Sequence, residues 1–116
     1  MSGDLTIDVV RLALTLEQAK SQVASTNIAN ANRGDVGALR ADFTSYESAM
    51  RSATTSDALT RLDASVHAQQ AVETQEPINA DSEVGDMVTA GANYQALAEG
   101  LSREFGLMRL AITGRT

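Results

Sequence analysis

The feature that most constrains this chain is a seam of mostly apolar residues, spaced alternately three and four apart, near each end of the sequence. The first seam, within residues 4–30, consists of Leu5, Val9, Leu12, Leu16, Ala19, Val23, Thr26 and Asn30. This spacing places side chains along one stripe of an α-helix that packs against a partner. Beside the stripe lie Ile7, Val10, Leu14 and Ile28, which allow more than one neighbouring helix.

The second seam runs through residues 82–112 and predicts an equally long helix. Its members are Met87, Ala90, Tyr94, Leu97, Leu101, Phe105, Met108 and Ile112. Asp4 is the expected N-cap of the first helix, and Asp81 or Ser82 that of the second, because short polar side chains accept hydrogen bonds from free N–H groups there. We therefore expect the chain to be framed by two long amphipathic helices.

The middle of the chain carries weaker signals. Glycines at 34 and 37 predict a loop, and Leu39, Phe43, Tyr46 and Met50 then give a short amphipathic stretch. Residues 54–57 predict a break with a helix cap, and Leu59, Leu62 and Val66 begin a further helical run. No alternating pattern indicates a β-strand. One domain is expected over residues 1–116, divided into 1–32, 33–81 and 82–116.

Composition argues against several classes of function. The net charge is −6 and the nine basic residues are scattered among acids, which disfavours nucleic acid as a partner. No apolar run approaches the roughly 20 residues that span a bilayer, and no basic start precedes an apolar stretch, so neither a membrane-spanning segment nor a cleaved signal peptide is expected. The absence of cysteine excludes disulfides and thiolate metal sites.

The sequence contains no recognisable catalytic site. His67 is the only histidine and is expected to face solvent, since a zinc site needs further nitrogen or sulfur ligands. Asp81, Glu83 and Asp86 could pair as general acid and base, but a predicted helix start explains them by capping and the helix dipole. We predict no enzyme, no cofactor, no metal and no small-molecule substrate.

Four glycines interrupt the C-terminal helix, namely Gly85, Gly91, Gly100 and Gly106. Each costs about 1 kcal/mol relative to alanine in a helix interior. They could let the first helix approach closely, or they could leave the last helix ordered only when neighbouring subunits surround it. The sequence does not decide between these two interpretations of the glycines.

The stretch from Ser21 to Asn32 ends in three asparagines within six residues, at positions 27, 30 and 32. Asparagine often ends helices, which predicts a fraying C-terminus. Asn30, however, continues the seam, and a buried asparagine in a seam fixes register or partner choice. The physics slightly favours this second role.

The same asparagine motif, Asn27-Ile28-Ala29-Asn30-Ala31-Asn32 after an amphipathic helix, resembles that of flagellar axial proteins. The stretches 93–97, 101–108 and 111–114 are similar to the C-terminus of proximal rod proteins of that family, as is Asp42-Phe43 after the loop. The family's Thr-Pro-Gly-Tyr turn is replaced by Arg33-Gly34-Asp35, and the middle, about residues 53–78, has no counterpart.

The resemblance implies a structural subunit of the flagellar basal-body rod, exported through the flagellar type III apparatus without a cleaved signal. It would assemble helically in the periplasm with copies of itself and other rod proteins, beside the membrane ring, the export gate and the rod adaptor protein. The expected fold is all-α, with long antiparallel, coiled-coil-like terminal helices and a short, partly irregular middle. The residues expected to carry packing within and between subunits are Leu12, Leu16, Val23, Asn27, Asn30, Tyr94, Leu101, Phe105 and Met108.

Two alternatives remain. Another axial or type III secretion rod subunit would share the asparagine motif but occupy a different position. A self-contained soluble four-helix adaptor belongs to a different class and predicts a cooperative, monomeric thermal transition.

Overall fold

The computed structural model describes residues 2–113, with side chains from residue 5 onward. In chain order, the elements are α1 (Ser2–Ala29), β1 (Leu39–Arg40), α2 (Phe43–Ser52), α3 (Ser56–Ala68), β2 (Val72–Glu73) and α4 (Ala80–Thr113). The all-α expectation, with long helices at both ends and short helices between them, is confirmed.

Helix α1 lies at the centre of the molecule. Within the described residues, α4 packs along α1, and both α2 and α3 pack on α1 and on each other, whereas α4 does not pack against α2 or α3. Hydrogen bonds join Asn27 to Glu83 and Glu17 to Asn93, so residue numbers increase along α4 in the direction in which they decrease along α1. The long helices are therefore antiparallel, and the described chain measures 61 × 24 × 17 Å.

The apolar core lies between α1 and the α2–α3 pair. Its buried centre is formed by Leu12 and Leu16 of α1 with Leu59 and Val66 of α3. The half-buried residues packed around this centre are Leu5, Val9, Ala19, Phe43, Tyr46, Met50, Ala53 and Leu62. The seam of α1 thus faces the short helices. The prediction that α1 has more than one neighbour is confirmed, because α4 occupies another side.

Side-chain caps start the two middle helices. The Asp42 carboxylate accepts from Ser45 N at 3.2 Å and begins α2. The Thr55 hydroxyl accepts from Ala58 N at 3.1 Å and begins α3, which confirms the predicted break and cap.

The predicted N-caps of both long helices were wrong, because each helix begins two or three residues earlier than expected. Helix α1 already includes Asp4, so Asp4 is not its N-cap. Helix α4 begins at Ala80, and Asn79 Oδ1 accepts from Ser82 N at 3.2 Å, so Asn79 takes the capping position that we assigned to Asp81 or Ser82. The cap preference is the same; asparagine is as good a cap as aspartate or serine.

A small antiparallel pairing of β1 with β2, which the sequence did not predict, closes the middle segment. Leu39 pairs with Glu73 and Arg40 with Val72. Strands of two residues carry no measurable alternation of apolar and polar side chains, because that pattern needs at least four residues. Leu39, which we placed at the start of a helical stretch, therefore lies in β1.

Gly37 permits this pairing. A Cβ at Gly37 would overlap the carbonyl group of Thr74. The neighbouring residue Ala38 donates its N–H to Glu76 O and accepts from Thr74 N, each at 2.9 Å. Only glycine allows the two backbone segments to approach so closely.

Candidate functional site

The last turn of α1 is fastened to the following loop by the side chain of Asn27, which is 1% exposed. Its Oδ1 accepts from Leu39 N at 2.7 Å, and its Nδ2 donates to Leu39 O at 3.2 Å. The amide therefore pairs with both backbone groups of Leu39 on the edge of β1, as a neighbouring strand would. Buried polar groups in proteins are almost always hydrogen-bonded, and here the buried amide and the backbone groups of Leu39 satisfy each other.

The first turn of α4 is bonded to the same asparagine. Glu83 is 2% exposed; its Oε1 accepts from Asn27 Nδ2 at 2.7 Å, and its Oε2 from Arg40 Nη1 at 3.3 Å. A buried carboxylate is tolerated because both oxygens have donors and a cation is adjacent. We call Asn27, Leu39, Arg40 and Glu83 the polar latch, since they connect α1, β1 and α4.

A second polar contact joins α1 to α4 about three turns away. The carboxylate of Glu17, which is largely buried, accepts from Asn93 Nδ2 at 3.1 Å and from Lys20 Nζ at 3.2 Å. Lys20 Nζ also lies 3.2 Å from a carboxylate oxygen of Glu47 in α2. The chain of contacts from Glu47 through Lys20 and Glu17 to Asn93 therefore links α2 to α4 across α1.

Lys20 is held in its charged form by these partners. Burial by itself lowers the pKa of Lys20, but the hydrogen bonds and negative charges of Glu17 and Glu47 together outweigh it, so that the pKa is raised above the ordinary lysine value. An ammonium group between two carboxylates is the arrangement that favours the charged state.

The two polar contacts line one groove, of about 380 Å³, between α1, β1 and α4. Its two cations, Lys20 and Arg40, are already paired with carboxylates of the groove wall or of neighbouring residues. Both cations of the groove therefore help to hold neighbouring elements together.

Helix α4 exposes a large amount of apolar surface. The exposed residues are Val84, Val88, Tyr94, Phe105, Leu107, Leu110 and Ile112. Tyr94, Phe105 and Ile112 belong to the same row as buried Glu83 and Ala90, which is the row that faces α1. Val84 and Val88 lie outside this row.

The α1-facing row of α4 is most exposed at Ile112, although Tyr94 in the middle of the row is as exposed as Phe105. Asn27 is bonded to Glu83 and Glu17 to Asn93, a constant antiparallel register. Continued at that register, Leu5 comes level with Phe105, and the last turn of α4 passes the first described residue of α1. Phe105, which is still level with α1, is 41% exposed, and Ile112, which lies past the first described residue of α1, is 82% exposed.

The glycines of α4 do not serve close packing within the chain. A Cβ at Gly85, Gly91, Gly100 or Gly106 would meet nothing within 4 Å. The prediction that they admit α1 closely is therefore wrong. The other prediction, that neighbouring subunits order this helix, stays a prediction.

The structure separates the nine residues that we expected to carry packing. Three are buried, four are half-buried and two are exposed: Leu12, Leu16 and Asn27; Val23, Asn30, Leu101 and Met108; Tyr94 and Phe105. Asn30 follows the last residue of α1, and its Oδ1 accepts only a 3.4 Å bond from exposed Arg33. The buried position that the seam favoured for Asn30 is therefore occupied by Asn27, three residues earlier.

Sequence reasoning missed the two buried carboxylates, Glu17 and Glu83. Glu83 was assigned to helix capping and the dipole, although its spacing of four from Met87 and seven from Ala90 places it on the apolar row of α4. That spacing was the available signal. An acid on the buried row of a helix predicts a donor on the facing element.

The remaining chemistry of the described residues is sparse. His67 is exposed, as expected, and its Nδ1 lies 2.9 Å from Asp63 O. Within residues 2–113, no three His, Cys, Asp or Glu side chains gather where they could hold a metal ion. None of the helices described here is long and apolar enough to cross a membrane.

No family model, no curated protein and no solved structure matches this chain. The function proposed below is therefore drawn from the chain's own residues and their arrangement.

Proposed function

We propose that this chain is a structural subunit of the bacterial flagellar basal-body rod, of the proximal type. It assembles helically with copies of itself and other rod proteins, beside the membrane ring, the export gate and the rod adaptor protein. The asparagine motif at residues 27–32 and the C-terminal stretch at residues 93–114 support this assignment through their resemblance to flagellar axial proteins.

The observation that carries the proposal is the apolar row of α4 that continues beyond α1. Phe105 and Ile112 lie on the row that faces α1, yet Phe105 remains 41% exposed and Ile112 82% exposed. Exposed apolar surface of this kind marks an interaction site when it continues along one face of a helix. A neighbouring subunit in a rod would supply the missing cover.

The mechanism is mechanical rather than chemical. An elongated body, 61 Å in its longest dimension, offers a long lateral surface for packing against neighbours. Helices interdigitated around a central channel would form a stiff tube that transmits torque and lets exported subunits pass. The residues we expect at or beneath these contacts are the nine named above.

Assembly can be tested with the purified chain by sedimentation velocity over a range of concentrations, followed by negative-stain electron microscopy. We expect species larger than a monomer whose share increases with concentration, and rod-like or fibrous particles at the top of the range. Phe105→Ala combined with Ile112→Ala should shift the sedimentation profile towards the monomer, because it removes apolar surface beyond α1.

Val72→Ala is the matched control. Val72 is a large apolar residue exposed in β2, away from α4, so its removal should leave the profile unchanged. A wild-type chain that stays monomeric at every concentration, or an equal effect of the control, would contradict assembly through the end of α4.

A soluble four-helix adaptor is the second candidate, favoured by one observation. The buried cluster of Leu12, Leu16, Leu59 and Val66 is completed within a single chain. For an adaptor we expect one cooperative unfolding transition, at a temperature that does not depend on protein concentration. For a rod subunit we expect the unfolding temperature to rise with protein concentration. A different axial or type III secretion rod subunit would assemble similarly and is distinguished by the stage at which deletion of the gene stops assembly.

A further inference from the structure

The apolar contacts between α1 and α4 specify their register poorly. On the α1-facing row of α4, a slip of seven residues exchanges Met87 for Tyr94, Tyr94 for Leu101 and Leu101 for Met108. Each exchange puts one large apolar side chain in place of another. The core cluster does not help, because its buried centre lies between α1 and α3.

The polar contacts distinguish the registers sharply. If α4 slides by seven residues towards the C-terminal end of α1, Ala90 takes the place of Glu83 beside Asn27. Gly100 then takes the place of Asn93 beside Glu17. Asn27 then loses its carboxylate partner and Glu17 loses its amide donor. An unsatisfied buried polar group costs about 1–3 kcal/mol, and more when it is charged.

The opposite slip is penalised for a different reason. It places Asp86 opposite Glu17, which brings two carboxylates together. It also requires Glu76 to take the position of Glu83, although Glu76 precedes Pro77 and the start of α4. The residue before a proline is disfavoured in helical conformation.

From these contacts we infer that Asn27 and Glu83 form a register lock, which fixes how far α4 slides along α1. The lock depends on the loop as well as on the helices. Asn27 holds Leu39 by two hydrogen bonds, and Arg40 from the same strand holds the second oxygen of Glu83. The native position of α4 is therefore conditional on β1 being in place.

The lock determines the length of the uncovered end of α4. One heptad of slip moves α4 by about 10 Å along α1, at about 1.5 Å per residue. Slip in the direction of Ala90 would draw the end of α4 back over α1, and residues such as Phe105 would change their exposure. This inference does not require the rod assignment, because it concerns a single chain.

Cysteine cross-linking can test the register directly, because the chain has no cysteine of its own. Ser21 and Gly91 line one groove between α1 and α4, and a Cβ at Gly91 meets nothing within 4 Å. Ser21→Cys with Gly91→Cys therefore reports the native register. Ser21→Cys with Ala98→Cys, one heptad further along α4, reports the slipped one.

With a short bis-maleimide reagent on the folded full chain, we expect the native pair to react and the slipped pair to react little. Adding Asn27→Ala should lower the ratio of native to slipped product by about fivefold or more, because at least about 1 kcal/mol of discrimination is removed. Adding Asn30→Ala should leave the ratio unchanged, because the side chain of Asn30 accepts a hydrogen bond from exposed Arg33, three residues away, rather than from α4.

An exchange of charge keeps the test decisive if Asn27→Ala fails to fold. Asn27→Asp puts two carboxylates at the 2.7 Å contact and should abolish the native cross-link. Asn27→Asp with Glu83→Gln restores a donor and an acceptor across that contact and should recover it in large part. The register lock would be overturned if Asn27→Ala changed the ratio of native to slipped product no more than Asn30→Ala does. It would also be overturned if the double variant recovered no more native cross-link than Asn27→Asp alone.

Discussion

The side-chain nitrogen of Asn27 lies 2.7 Å from a carboxylate oxygen of Glu83, which joins the last turn of α1 to the first turn of α4 across 56 residues of sequence. Both side chains are almost completely buried. The contact is the point at which the two terminal helices and β1 meet, so most consequences for stability and register converge on it.

Truncation of Asn27 should therefore destabilise the protein more than truncation of a neighbouring asparagine. Asn27→Ala removes a donor from Glu83 and the two hydrogen bonds that the amide makes with the backbone of Leu39, and should lower the free energy of unfolding by about 1–3 kcal/mol. Asn30→Ala should change it by less than about 0.5 kcal/mol, as a surface substitution does. Urea unfolding followed by circular dichroism measures both, and equal losses would contradict the latch.

The apolar core should depend on α1 and α3 rather than on the end of α4. Leu16→Ala removes a fully buried side chain and should cost about 2–5 kcal/mol. Leu107→Ala removes a side chain that is 63% exposed and should cost less than about 0.5 kcal/mol. The same urea measurement decides the point; a larger loss for Leu107→Ala would place the core elsewhere.

Two glycine substitutions should have opposite signs. Gly91→Ala lies in the interior of α4 with open space around the new methyl group, and should stabilise the chain by up to about 1 kcal/mol. Gly37→Ala would drive a Cβ into the carbonyl group of Thr74 and should destabilise it. Thermal unfolding temperatures that rise for both variants would show that β1 and β2 do not approach as described.

Stability at high pH should depend on Lys20. Because its pKa is raised by Glu17 and Glu47 despite burial, its contribution is complete below the ordinary lysine value of 10.5 and is lost as the pH rises through the higher folded-state value. We expect the wild type to lose more stability than Lys20→Met as the pH rises above the ordinary lysine value of 10.5. Comparing the two proteins cancels the contributions of all other groups, and parallel pH profiles would contradict the raised pKa.

The long helices could be predicted from the sequence because their three-and-four spacing persists over many turns. The short helices α2 and α3 were also indicated, since Thr55 is a strong cap and Leu59 and Val66 share a helical face. Their bounds depended on local side-chain bonds. The choice of Asn79 over Asp81 as a cap illustrates this, because both residue types accept N–H groups equally well.

The candidate site was less predictable because it depends on contacts distant in sequence. Nothing near Asn27 indicates that it will meet Leu39 or Glu83, and the seam phase pointed to Asn30 instead. Glu83 was ambiguous, since an acid in the first turn of a helix is already explained by the dipole. The pairing of β1 with β2 left no pattern to detect.

The measurement that tests the proposed function most directly is deletion of this gene in its source bacterium, with electron microscopy of isolated basal bodies and a swimming assay. A rod subunit of the proximal type predicts loss of rod, hook and filament with the membrane ring retained, and recovery when the gene is supplied in trans. Normal basal bodies and normal swimming, in a strain without a duplicate gene, would contradict the proposal and leave the soluble adaptor as the better account.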